Sequence, residues 1–237
     1  LKIKESIIVV DIGTSSVKTS IFDLEGNNLP KFSTSIPHSI ISKNDGTSEQ
    51  DPEILRSIVE ESIDIVLEKA EGYIEEIVGV GLDSMASTLL GINKDGKPIT
   101  PIYTYADTRS NNEVYKIKKD FNETILHQET GAAQHTSYIP SKIMWIRDNQ
   151  KNFKDIDKFV DFSTYIYSKW FENKNFKASY SISSWSGLLD KNKLKWHSDL
   201  IDYLDISEDK LPVLRPYDDY EKGLNNHYSK RWKKLSE

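Results

Sequence analysis

Short apolar runs and alternating tracts dominate the first hundred positions, and apolar residues at helical spacing dominate the later ones. Ile7-Ile8-Val9-Val10 is a continuous apolar run, which predicts a strand buried on both faces. Asp11-Ile12-Gly13-Thr14-Ser15-Ser16 interrupts it with turn formers. Val17, Thr19 and Ile21 then alternate with Lys18, Ser20 and Phe22, predicting a second strand. A turn at Asp23–Asn28 leads to a third strand ending near Ile36-Pro37, so the start reads as an antiparallel meander. Asp51-Pro52-Glu53 supplies an N-cap, a proline for the first helical position and an acid for the first turn. Ile54, Leu55, Ile58, Ile63, Ile65, Val66 and Leu67 follow at mostly helical spacing, and Gly72 ends the segment. Ile77–Leu82 predicts another buried strand, with shorter ones at Thr88–Ile92 and Ile102–Tyr105. Helices are predicted at Asn111–Lys119, Glu123–Glu129, Pro140–Asn149, Ser163–Phe171 and His197–Leu204.

Three strands, a helix and further strands give an α/β or α+β class with a mixed sheet. No long linker interrupts the 237 residues, so residues 1–237 read as a single domain, with a helical subdomain in the later half.

Composition narrows the function classes. Cys is absent, which excludes a disulfide scaffold and Cys-based zinc sites and fits a reducing cytoplasm. The net charge of -6 disfavours a nucleic-acid binder. No apolar run approaches the ~20 residues of a membrane span, and the first residues do not read as a signal peptide. Five Trp, 12 Tyr and 8 Phe argue for a packed core. His38, His127, His135, His197 and His227 lack metal-site spacing, and His135 reads as a loop histidine. Trp145 and Ile146 read as core, and Lys230-Arg231-Trp232-Lys233-Lys234 as a solvated tail or the start of a linker.

The chemistry concentrates after the first strand, in Asp11-Ile12-Gly13-Thr14-Ser15-Ser16-Val17-Lys18. Glycine lets backbone N–H groups converge without an intervening side chain. Thr14, Ser15 and Ser16 offer hydroxyls to phosphate oxygens, Lys18 offers positive charge, and Asp11 offers a carboxylate to magnesium through bound water. A plain hairpin with a polar turn fits the same residues. Neither GxxxxGK[ST] nor GxGxxG occurs. Asp107 and Arg109 form a second candidate pair, a carboxylate that can accept from hydroxyls beside a fork that can bind a carboxylate. A helix-capping Asp107 with a solvated Arg109 is the alternative.

An apolar strand, DIGTSSVK, a strand, an acid-Gly turn and a third strand resemble the first phosphate loop of the actin-like sugar kinases. The closest likeness is to the FGGY carbohydrate kinases, particularly their gluconokinase and xylulokinase members. Glu49-Gln50-Asp51-Pro52-Glu53, Tyr105-Ala106-Asp107-Thr108-Arg109-Ser110, Ser141-Lys142-Ile143-Met144-Trp145-Ile146 and Tyr180–Asp190 resemble further stretches of that family, in its order.

The resemblance implies an actin-like ATPase, ribonuclease-H-like domain with a mixed sheet flanked by helices. It implies ATP and Mg2+ as cofactors and phosphorylation of a sugar, sugar acid or polyol, with gluconate or a ketopentose the leading substrates. Phosphate contacts would fall at Gly13, Thr14, Ser15, Ser16 and Lys18, and the metal contact at Asp11. Sugar contacts would fall at Ser84, Met85, Ala86, Ser87, Asp107 and Arg109. The general base and adenosine pocket would belong to a C-terminal kinase domain absent from these residues, leaving the fragment inactive alone. Two departures bear on substrate: Ala86-Ser87 stands where the resembled kinases carry Met-His, and Ser179 replaces an acid. A non-catalytic sugar-binding module and an actin- or Hsp70-like ATPase are the rival readings, and the oligomeric state, a homodimer included, stays open.

Overall fold

The computed structural model describes residues 3–171, 176–216, 218–224 and 227–235. The predicted meander is present as β1 (Ile3–Ile12), β2 (Ser16–Asp23) and β3 (Asn28–Pro37). Two short strands follow, β4 (Ile41–Ser42) and β5 (Ser48–Gln50), then helix α1 (Pro52–Ala70). The Asp51 side chain accepts from the amides of Glu53 and Ile54, and Gly72, at φ +79°, turns the chain out of the helix. β6 (Ile74–Ser84) returns parallel to β1, completing a sheet of order β3-β2-β1-β6 in which β3 and β6 are the edge strands.

Helix α1 packs on one face of this sheet. Ile8, Val10, Ile12, Val17 and Ile21 point into that interface with Leu55, Val59, Ile63 and Val66. A Thr19–Ser62 hydroxyl pair at 2.7 Å crosses it. The expectation of strands buried on both faces is corrected here. Val9 is 37% and Val78 46% exposed, because α1 covers one face only. An apolar run therefore marked a strand correctly but overstated its burial.

The second half begins with β7 (Leu90–Ile92) and β8 (Ile102–Tyr103). Helices α2 (Asn111–Asp120), α3 (Glu123–Thr130) and α4 (Ile139–Asn149) follow, then β9 (Lys158–Val160) and α5 (Phe162–Trp170). β10 (Lys177–Ser179), α6 (Tyr180–Ser183), β11 (Leu189–Asp190), β12 (Lys195–Trp196), α7 (Ser198–Leu204) and β13 (Val213–Arg215) complete the main elements. The five helices predicted in this half are all present, with ends within a residue of expectation. Four of them, α2, α3, α4 and α7, share a second apolar core around Ile117, Leu126, Ile143, Ile146 and Leu200, whereas α5 packs Phe162, Tyr165 and Ile166 into the first.

The basic cluster near residue 230 is not a solvated tail. Residues 230–235 form a 3₁₀ turn that inserts Trp232, 1% exposed, against Trp170 at 5.3 Å between ring centroids. Arg231 pairs with Asp64 and Glu68 of α1. The aromatic inside the basic run decided its placement.

Candidate functional site

The C-terminal ends of the adjacent parallel strands β1 and β6 open onto a cavity of about 450 Å³. Asp11 stands opposite Asp83 in the strand register, and Ile12 opposite Ser84. Both acids line the cavity, with Gly13 and Thr14 beside them. Its other walls are the turn from Ser84 to Ser87, Tyr105, the Ser137-Tyr138 loop and Trp185. Sequence reading missed Tyr105 and Trp185 as lining residues, and also Asp83. The signal for Asp83 was position: like Asp11, it is an acid ending an apolar strand.

The glycine turn is built from backbone bonds. The Gly13 amide donates to the Ser16 carbonyl at 3.1 Å, closing the hairpin, and a Cβ at position 13 would sit 3.3 Å from that same oxygen. Glycine is thus needed here for close approach. The amides of Thr14 and Ser15 donate to no protein acceptor among the described residues. His38 braces the turn from behind. Gln50 donates to its Nδ1 at 2.8 Å, which leaves Nε2 to donate to the Gly13 carbonyl at 3.0 Å. Partial burial holds the His38 imidazole below its ordinary range and keeps it neutral, against the smaller upward pull of the Gly13 carbonyl.

The predicted phosphate and metal residues divide. Asp11, Gly13 and Thr14 line the cavity; Ser15, Ser16 and Lys18 do not. Ser16 opens β2 and contributes the carbonyl that receives Gly13. Lys18 lies across the ladder from Asp11, with its ammonium 4.0 Å from the carboxylate and both side chains more than half exposed. A magnesium ion, implied by the resemblance, fits the donor set. Asp11 and Asp83 are hard oxygen donors facing a space with room for water. Among the described residues no group of three or more His, Asp or Glu forms a metal cage, so water and phosphate oxygens would complete the shell.

The predicted sugar residues also divide. Ser84, Met85, Ala86 and Ser87 line the cavity, with the Met85 side chain rooted in the sheet core. Ser87 takes a left-handed φ of +56°, and its hydroxyl donates to the Trp185 carbonyl at 2.6 Å. Its own carbonyl accepts from Lys142 at 3.2 Å, and the same ammonium donates to the Ser137 carbonyl at 2.6 Å. Lys142 is only 2% exposed, and burial pulls its amine down to about 7 despite the opposing field of Asp107.

Asp107 and Arg109 are not brought to the cavity wall. Asp107 accepts from the Ser48 amide at 2.9 Å and from Arg109 Nη2 at 2.6 Å. Arg109 also reaches Glu49 at 2.5 Å and lies 4.3 Å from the Trp145 ring centroid. Neither the predicted helix cap nor the solvated arginine is observed, since the pair closes on itself. Glu49 supplies a second carboxylate, so the arginine fork is already filled. His135 is an exposed loop residue bonded to Ser137, as expected.

A model described as the N-terminal domain of the FGGY family of carbohydrate kinases matches residues 6–233. The chain belongs to that family. The gluconokinase of Bacillus subtilis (strain 168) is 28% identical over 209 residues, 87% of this chain and 39% of the relative. The xylulose kinase of Staphylococcus xylosus is 31% identical over 164 residues, 69% of this chain and 33% of the relative. The chain therefore spans about two fifths or less of these FGGY relatives. Gluconate kinase from Lactobacillus acidophilus has a similar crystal structure, with TM-score 0.85 and 23% identity over 98% of this chain and 45% of that one. Glycerol kinase from Plasmodium falciparum with ADP gives TM-score 0.85 at 17% identity, over all of this chain and 48% of that one. These likenesses establish the expected FGGY sugar-kinase fold. No helix of the described residues is long and apolar enough to cross a membrane.

Proposed function

We propose that the protein carrying this chain is an ATP-dependent carbohydrate kinase that phosphorylates a hydroxyl of a sugar, sugar acid or polyol. Gluconate and a ketopentose are the first candidates, in line with the names of the relatives at 28% and 31% identity. The single supporting observation is the meeting of Asp11, Asp83, Gly13 and Thr14 at one end of a cavity whose far wall is aromatic and hydroxyl-rich.

In this reading the uncommitted amide and hydroxyl of Thr14 take phosphate oxygens. Asp11 and Asp83 hold Mg2+ through water, and the ion neutralises charge that develops on the transferred phosphoryl group. Ser84 to Ser87 and the Ser137-Tyr138 loop orient the accepting alcohol. That division leaves this chain the work of positioning. The general base and adenosine pocket come from a C-terminal domain, so residues 1–237 alone turn nothing over.

The test is ADP release by the full-length protein with gluconate, D-xylulose, ribitol and glycerol as acceptors. Turnover of at least one is expected. Nucleotide binding with no sugar-dependent ADP release would overturn the kinase reading in favour of a partner-driven ATPase.

A further inference from the structure

Trp185 is 57% exposed, while Trp170, Trp196 and Trp232 are buried. It stands between two cavities, the one at Asp11 and a neighbouring one of about 510 Å³, which share Asp83, Ser84 and Ala86. A large indole left in water forgoes a sizeable hydrophobic gain, so its place at the rim calls for a ligand.

The backbone under this ring is tightly held. Its carbonyl receives the Ser87 hydroxyl at 2.6 Å. Two residues on, Gly187 sits at φ +69°, so close to Tyr138 that a Cβ there would lie 2.8 Å from the Tyr138 Cβ. Ser87, itself in the left-handed region, is fixed through its carbonyl by Lys142. Lys142 also fixes Ser137, so one buried amine ties three cavity walls together. The SKIMWI stretch singled out in the sequence thus acts through its lysine.

We propose that Trp185 is the wall against which the carbon skeleton of the sugar lies, and that Lys142 is a positioning residue that holds this wall through Ser87. The negative face of an indole attracts the polarised C–H bonds of a polyol, while hydroxyls on the other edge meet the serine turn. A stacking wall rewards length. Five- and six-carbon acceptors cover more of the ring than glycerol does. The inference rests on the sugar-kinase reading, and its test separates the two.

Kinetic constants of the full-length protein are measured with gluconate, D-xylulose and glycerol for the wild type, Trp185→Ala, Ser87→Ala and Lys142→Met. Trp185→Ala is expected to raise KM for the longer acceptors, shifting their kcat/KM relative to glycerol by about tenfold. Ser87→Ala, which removes the hydroxyl that reaches the Trp185 carbonyl, shifts the same ratio the same way. Lys142→Met does so too, and adds little to the ratio when combined with Trp185→Ala. A ratio unmoved by Trp185→Ala in an active enzyme overturns the wall. Equal losses on all three acceptors in Lys142→Met and Ser87→Ala reduce Lys142 to a purely structural residue. If the wild type turns over none of these three nor ribitol, the kinase reading fails, and iodide quenching still decides the wall. Protection of tryptophan fluorescence by these compounds in the wild type but not in Trp185→Phe supports it, and no protection overturns it.

Discussion

Two charged corners of this domain are candidate sites in the sequence and differ in one physical respect. At the ends of β1 and β6, the Asp11 side chain is 52% exposed, and its ion pair is a loose 4.0 Å contact with Lys18. At the loop after β8, the Asp107 side chain is 3% exposed and accepts from the Ser48 amide and the Arg109 fork. The first corner has coordination to offer a ligand; the second has already used its own. Charge in a motif therefore points to chemistry only when the fold leaves that charge without a full set of partners.

Substitutions should separate the corners. Asp11→Asn and Asp83→Asn are each expected to lower kcat of the full-length protein about 10²-fold or more, the loss usual when a group facing developing charge is removed. Stability should change by less than about 0.5 kcal/mol, as for exposed surface sites. Arg109→Met is expected to do the reverse. It leaves Asp107 buried without its cation, costing about 2–4 kcal/mol in urea unfolding, with Asp107→Asn in the same chain recovering part of the loss. A full-strength melt with lost sugar affinity in Arg109→Met would erase the distinction drawn here.

The smallest effect concerns the brace behind the glycine turn. His38 has its folded pKa below its ordinary value of 6.5, so the folded protein binds fewer protons than the unfolded one as pH falls toward that range. Its contribution is full above about 6.5 and declines as pH drops below that value. Urea midpoints at pH 7.5 and 5.5 should differ less in His38→Gln than in the wild type.

Much of the architecture was legible because period and punctuation agreed. The turn at Asp51-Pro52 and the alternation of Val17, Thr19 and Ile21 each named an element and its inward face. What escaped was pairing at long range. Glu49-Gln50-Asp51 resembled one family motif, yet each residue serves a different partner. Glu49 meets Arg109, Gln50 meets His38, and Asp51 caps α1. Asp83 escaped because only the parallel register of β1 and β6 sets it beside Asp11. Arg109 was misjudged because its carboxylate partner lies 60 positions away.

The β6 edge carries one more consequence. β6 runs for 11 residues with β1 on a single side, and its glycines at 79 and 81 have open space where a side chain would stand. Such a border invites another polypeptide to add itself, and Glu75, Glu76 and Asp83, all exposed, set like charges against a second copy doing so. The carboxylate assigned to metal binding would thus also guard against aggregation, so neutralising it to probe catalysis should be accompanied by a check that the sample remains monodisperse.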